Sequence, residues 1–468
     1  GAVLYALAMG CRAADTPVPA GFAREVDEFV AAEMRRQQVP GAAIGIFRKG
    51  QVLIAKGYGD SNIEHQVPVT GETVFQSGSV GKQFTAVAVM LQVEDGKLSL
   101  DDSIMKYFTD APESWRPITV RHLLTHTSGI QDYFDGLWNG GTDVFDLPRD
   151  YTEEEMTKAI YGLPLEFEPG SRWHYSNTGY VLLGYLVRRV SGRFYGDVLK
   201  ERVFAPLGMK TARVISDEDI VPNRAAGYRL VNGEIKNQEW YAPSVNTTAD
   251  GSLYLSLADF AAWDRGLRSG AILSAESWAQ IHAPVRLNSG KTYPYGFGWS
   301  IDESNGGPWF HHSGSSQGFR AYISRYRKDD LTIVVLANLI DADPSRFVDG
   351  IAAIFDPAIA KIRPATPIPD SDPATAARVR GLLDAVAGGK LPEQQLRYAN
   401  RGFLELIGGY AQLLQTLGAL ERLELLDRRE LGDDRASTYA AHFGSRTLRV
   451  QVALAPDDRI ADLYIEPE

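Results

Sequence analysis

Phe75-Gln76-Ser77-Gly78-Ser79-Val80-Gly81-Lys82-Gln83-Phe84 runs without a break into Thr85-Ala86-Val87-Ala88-Val89-Met90-Leu91. Apolar residues recur at helical spacing through the second half, and Asp95-Gly96 supplies a stop, so a helix is predicted there. Ser79 falls at its predicted N-terminus, where serine is a favoured cap. Lys82 lies three residues on and shares the same helix face. A cap accounts for the serine alone. It leaves unexplained a lysine in the first turn, where a cation opposes the helix dipole. The chemical reading is a nucleophile with its base built in, because a serine hydroxyl attacks poorly until its proton is taken. An amine can take it only when neutral, which requires lowering a pKa that is ordinarily ~10.4. Burial supplies up to roughly 3–5 units. The positive helix end acts in the same direction and offers backbone N–H groups to a developing oxyanion.

The chain has 468 residues, enough for two or three domains. Its hydrophobic content of 44% and charged content of 23% are those of an ordinary globular protein. The net charge of −11 argues against a polyanionic partner, and no basic, aromatic-interleaved patch of the nucleic-acid-binding kind occurs. No apolar run reaches the roughly 18 residues of a membrane span. A single cysteine, Cys11, excludes an internal disulfide, a thiolate zinc cluster and a CxxC redox site. Residues 2–15 have the form of the end of a secretory signal, an apolar run followed by small residues and a polar start. That reading predicts a secreted or periplasmic protein. Leu7-Ala8-Met9-Gly10-Cys11 also resembles the bacterial lipoprotein cleavage box, which would place a lipid anchor on Cys11. A short N-terminal helix with an apolar cysteine is the plainer alternative.

Upstream of the serine, residues 22–38 read as an amphipathic helix ended by Val39-Pro40-Gly41. Two strands follow, 42–48 and 51–59, joined by a tight turn at Lys49-Gly50. A helix packed on an antiparallel sheet is the predicted architecture. Downstream, Ile118-Thr119-Val120-Arg121-His122-Leu123-Leu124-Thr125-His126-Thr127-Ser128-Gly129 reads as a helix capped by Thr119 and ending near Gly129. His122 and His126 have metal-ligand spacing but no carboxylate between them, which favours hydrogen-bonded structural histidines. Residues 129–156 read as a long loop at the rim of the site. Tyr175-Ser176-Asn177 sits in a polar turn before an apolar helix, with Asn177 either a cap or a cleft residue. Strands are predicted at 295–301, 309–320, 321–326 and 331–338.

Ser79-x-x-Lys82, Tyr175-x-Asn177 and His312-x-Gly314, in that order, resemble the serine β-lactamase and penicillin-binding-protein superfamily. The likeness is closer to its class C branch of esterases, D-amino-acid peptidases and DD-carboxypeptidases. The segments His122–Gly129, Tyr295–Trp299 and Val335–Asn338 resemble that branch as well, so that the likeness covers residues 22–357. It implies an α+β fold, an antiparallel sheet flanked by helices with an all-helical subdomain. It also implies roles by position: Ser79 as acylated nucleophile, Lys82 as its base partner, and Tyr175, as phenolate or through a proton shared with Lys82, as relay to the leaving group, with either of that coupled pair open as the general base. Asn177 would orient Lys82 and the substrate, and His312, Gly314 and Ser315 would wall the substrate site. The backbone N–H groups of Ser79 and Ser315 would form the oxyanion hole. The substrate would be a small ester, amide or peptide, with no metal and no organic cofactor. The departure from the pattern is His312, where β-lactam hydrolysing members usually carry lysine. A histidine with a pKa near ~6.5 is mostly neutral at pH 7, which favours esters or D-aminoacyl amides over carboxylate-bearing β-lactams. A DD-carboxypeptidase or weak β-lactamase is the neighbouring alternative. A slow penicillin-binding or peptidoglycan-sensing protein is the alternative from another class.

Beyond this unit the sequence predicts a proline-rich linker at 358–371 and a small α+β domain at 372–468. That domain reads as helices at 372–387 and 392–417, then strands at 421–429, 437–443, 446–454 and 459–465. Residues 1–21 would be a secretion remnant or N-terminal arm, and the oligomeric state is left open.

Overall fold

Antiparallel pairing starts at a hairpin whose turn residues, Lys49 and Gly50, both have positive φ (51° and 77°), the conformation two-residue hairpins favour. The computed structural model describes residues 17–135, 144–359, 366–389, 393–397, 401–444 and 446–467. The hairpin strands Gly41–Arg48 and Gln51–Asn62 join a seven-stranded sheet. Its spatial order is Ser300–Ser304, Gly307–Ser316, Phe319–Tyr326, Leu331–Ala337, Gly41–Arg48, Gln51–Asn62, Val67–Pro68. The first hairpin therefore pairs with a strand from the far end of the domain, with Ala43 opposite Leu336 and Ile44 opposite Val335.

Strand alternation sends the side chains of these central strands into two different cores. Ile44, Ile46, Ile333 and Val335 face the helices Phe22–Gln37 and Pro344–Phe355. Ala43, Val334 and Leu336 face a larger core shared with the helical half of the molecule. At the centre of that half is the helix Lys82–Glu94, buried over almost its whole circumference, as expected of a helix apolar on all sides. The helices Asn177–Ser191 and Leu257–Ser269 pack on it. Trp263 lies against Phe84 with ring centroids 4.5 Å apart and donates from Nε1 to Gln83. The C-terminal unit has helices Pro373–Ala387 and Arg401–Leu417 and a four-stranded meander, Arg422–Leu431, Asp434–Phe443, Arg446–Leu454 and Ile460–Pro467. Its own core includes Val379, Leu382, Leu414, Tyr439, Val450 and Leu463.

Three local expectations give way. Ser79 is not a cap: a 3₁₀ turn, Gly78–Gly81, precedes the helix, with Ser77 at the cap of the turn and Gly81 at the cap of the helix, neither making a side-chain capping bond. The helix beginning at Val120 stops at Leu124, because His126 adopts a left-handed φ of 58° and turns the chain inward. Residues 295–299 are not a strand: Gly298 has φ +75° and packs against the start of the serine helix, so that Tyr295 makes a single bridge to Ser300 and the strand itself is Ser300–Ser304. Cys11 and the proposed signal, part of the rim loop (136–143) and part of the linker (360–365) lie outside the described residues. None of the described helices is long and apolar enough to cross a membrane.

Candidate active site

The 3₁₀ turn places Ser79 at the floor of a cleft of about 440 Å³. Lys82 is wholly buried beneath it, at 0% exposure. Its Nζ lies 3.0 Å from Ser79 Oγ, 2.7 Å from Asn177 Oδ1 and 2.5 Å from the Asp250 carbonyl oxygen. The last two can only accept. Asn177 is held in that orientation because its Nδ2 donates to Asp132 Oδ2 at 2.9 Å. Asp132 also accepts from the backbone N–H groups of Asn177 and Phe134. The ammonium form has a donor for each of the three oxygens; once it loses a proton, the Asn177 and Asp250 oxygens use the two remaining N–H groups and the lone pair faces Ser79. Burial lowers the Lys82 pKa to about 8, with the carboxylates of Asp250 and Asp132 opposing it.

Tyr175 reaches the same point from the turn before the helix Asn177–Ser191 and lines the cleft together with Ser79. Burial raises its pKa well above 10, so it stands as a phenol. Its ring lies 4.9 Å from Lys82 Nζ. The wall opposite is the strand Gly307–Ser316. There Gly314 passes so close to the serine turn that an added Cβ would sit 2.0 Å from the Ser77 carbonyl oxygen. A Cβ on Gly78 would likewise meet the Ser315 nitrogen at 2.3 Å. Ser315 thus lies beside the serine and lines the cleft. Gly314→Ala is expected to push these elements apart, lowering stability by roughly 1–3 kcal/mol and turnover by at least about tenfold. Thermal melts and steady-state rates on the purified variant check both.

For His312 the sequence predicts a place in the wall of the substrate site. Its side chain is 5% exposed and does not line the cleft. Nε2 contacts the Tyr295 hydroxyl at 2.9 Å and Nδ1 the Ser313 carbonyl oxygen at 2.6 Å. Burial drives its pKa down to about 3, so it is neutral. His311 faces the other side of the strand and bonds Asp302 and Tyr322. The His122–His126 metal pair does not form: His122 caps its own helix at Thr119, and His126 points inward to Tyr295. Among the described residues no group of three or more His, Cys, Asp or Glu side chains has the placement to hold a metal ion.

The rest of the cleft lining includes Tyr133, Phe134, Tyr241 and Val245, with Asn246 bonded to Gln317 (2.7 Å). At its rim Arg229 pairs with Glu239 at 2.8 Å. The C-terminal unit approaches from the Tyr175 side. Asp434 stands 3.8 Å from Arg172, and the Gly432 N–H donates to the Thr292 carbonyl. Trp173, beside Arg172, stacks on Tyr293 at 4.1 Å.

The sequence matches the family described as Beta-lactamase over residues 26–355. It is 30% identical over 302 residues to Penicillin-binding protein 4* of Bacillus subtilis (strain 168), covering 62% of this chain and 66% of that protein. To the D-aminopeptidase of Gluconobacter oxydans (strain 621H) it is 27% identical over 328 residues, 69% of this chain and 60% of the relative. The match thus spans a little under two thirds of the length of these curated relatives. The octameric penicillin-binding protein homologue from Pyrococcus abyssi superposes with a TM-score of 0.62 at 25% identity, covering 95% of this chain and 98% of that one. The D-amino acid amidase from Ochrobactrum anthropi SV3, complexed with L-phenylalanine amide, shares the fold with a TM-score of 0.62 at 23% identity. That superposition covers 72% of this chain and 98% of the amidase.

Proposed function

The chain belongs to the beta-lactamase family, within the serine β-lactamase and penicillin-binding-protein superfamily, and on that premise we propose that it hydrolyses esters or D-aminoacyl amides and peptides through an acyl-Ser79 intermediate. The observation that carries the reading is the donor count at Lys82. Nζ sits 3.0 Å from Ser79 Oγ with acceptor oxygens of Asn177 and Asp250 on its other sides, so the amine, once it has lost a proton, keeps its two N–H groups for them and turns its lone pair to Ser79 Oγ.

In this reading Ser79 Oγ attacks the substrate carbonyl as its proton passes to Lys82. The oxyanion that forms is held by the N–H groups of Ser79 and Ser315. Collapse breaks the bond to the leaving group, which takes a proton from the Tyr175 hydroxyl while Tyr175 is replenished from Lys82. Water then attacks the acyl carbonyl, gives a proton back through the same groups, and releases Ser79 and the acid.

Charge favours substrates without a carboxylate beside the scissile bond. His312 is buried and neutral. Arg229, the guanidinium in the cleft lining, is already paired with Glu239, while Asp250 adds a second carboxylate to the same lining. An ammonium group suits this cleft better than an anion, in keeping with the relatives named for D-amino-acid substrates. A charge-assisted hydrogen bond is worth roughly 1.5–3 kcal/mol. Carboxylate-ended D-Ala-D-Ala peptides and nitrocefin should therefore trail D-alanine p-nitroanilide and short p-nitrophenyl esters by about tenfold or more in kcat/KM. Intact-mass measurement during turnover should catch the acyl adduct, and peptide mapping should place it on Ser79. An adduct on any other residue, or cephalosporin as the preferred substrate, would refute the reading.

A further inference from the structure

We infer that His126, held by a hydrogen-bonded chain through Tyr295 to His312, is the positioning residue for Tyr175 and ties the two walls of the cleft together; this rests on the proposed role of Tyr175. His126 grips the backbone on both sides of that tyrosine. Its carbonyl accepts the His174 N–H at 2.9 Å, and its Nδ1 accepts the Ser176 N–H at 3.1 Å. Its ring lies on the Tyr175 ring, centroids 4.4 Å apart at 35°. The left-handed backbone at His126 is what turns the ring inward to do both.

The direction of the chain is fixed at its two ends. A backbone N–H can only donate, so Ser176 makes Nδ1 of His126 an acceptor, and the proton of the neutral ring must sit on Nε2. A backbone carbonyl can only accept, so Ser313 requires the proton of His312 on Nδ1, leaving its Nε2 as acceptor. Between them the Tyr295 hydroxyl accepts from His126 at 3.1 Å and donates to His312 at 2.9 Å. All four ring nitrogens and the Tyr295 O–H along the line are used, and His126 (1% exposed), Tyr295 (2%) and His312 (5%) are shut off from water. His126 belongs to the helical half and His312 to the sheet strand that carries Ser315. The chain therefore fixes where Tyr175 stands relative to the oxyanion-hole strand, and this is what the buried histidine at 312 does in place of contacting substrate.

The test compares Tyr295→Phe, His126→Asn and His126→Gln with Tyr175→Phe, measuring kcat and KM on D-alanine p-nitroanilide or a p-nitrophenyl ester. Tyr295→Phe keeps the ring and removes only the link, so kcat should fall about tenfold with KM within about twofold. The asparagine side-chain oxygen can stand where Nδ1 stood and keep the Ser176 bond, whereas glutamine reaches toward Tyr295 and leaves that bond unmade. The asparagine variant should thus retain several-fold more kcat than the glutamine one. Equal kcat in the two variants, or unchanged kcat in Tyr295→Phe, overturns the inference. Should both His126 variants fail to fold, Tyr295→Phe alone decides it. If Tyr175→Phe itself turns over like the wild type, the role given to Tyr175 fails, a result distinct from one in which only the His126 and Tyr295 variants are silent.

Discussion

Replacing Ser79 with alanine should reduce hydrolysis by roughly 10³- to 10⁶-fold in kcat, the range spanned when an acylated serine is removed from a site whose other parts remain. The expectation is this large because no other hydroxyl takes its place. Among the described side chains Lys82 Nζ bonds only Ser79 and Asn177, its third bond going to the Asp250 carbonyl. The nearby Ser77 hydroxyl points away, donating to the Gly251 carbonyl at 2.9 Å. The fold should survive. Ser79 makes no capping bond, and its loss deprives the amine of one partner at a cost of about 1 kcal/mol, a few degrees in melting temperature at most. Circular dichroism melts beside steady-state rates separate the two effects. Turnover within tenfold of the wild type in a folded Ser79→Ala protein would show that the acyl-enzyme route is wrong.

The parts of this molecule that could be read before its structure are those whose chemistry is local. The strands of the C-terminal meander were legible because Val450, Val452 and Leu454 alternate inward along one of them. The pairing of Ser79 with Lys82 was legible because a spacing of three brings two side chains to one side of a helical turn, here the 3₁₀ turn that leads into the helix. What could not be read came from distance. Asp250 contributes a backbone carbonyl from 168 residues away, and a carbonyl leaves no signature in the residue type. Asp132 orients Asn177 from 45 residues upstream within a stretch that reads as irregular loop. The sequence marked His312 as a wall residue, and alternation placed it opposite His311, but alternation does not say whether the inward face meets the cleft or the protein behind it. Tyr295 supplies the answer by filling the space between His312 and His126. The premature end of the helix at Leu124 was hidden for a related reason. Thr125 and His126 do not forbid helix, and it is the tertiary partners of His126, Ser176 and Tyr295, that draw it out of line.

Lys82→Met should cut kcat/KM by roughly 10²- to 10⁴-fold, the usual contribution of a positioned base, and should also change how stability responds to pH. In the wild type, kcat/KM should rise about tenfold per pH unit up to about 8, where Lys82 loses its proton, and then level off. Tyr175 should impose no falling limb below pH 10, since its own pKa is raised well above that value. The stability effect follows from the same group. Lys82 holds its proton up to about pH 8 when folded and up to about 10.5 when unfolded. Between these values the unfolded chain binds more protons, so stability rises with pH across that window. It is fully present above 10.5 and is lost as pH falls through 8. The span corresponds to about 3 kcal/mol. Buried tyrosines such as Tyr133, Tyr175 and Tyr295, with raised pKa values, act in the opposite sense above pH 10, because the unfolded chain sheds their protons first. Comparing wild type with Lys82→Met at each pH cancels the tyrosines and leaves the lysine. Denaturant unfolding at pH 7, 8, 9 and 10 should therefore give two lines that diverge upward from pH 8, with the wild type the steeper. Parallel lines would mean that the amine is charged in the folded protein throughout, and a charged amine has no lone pair with which to take the serine's proton.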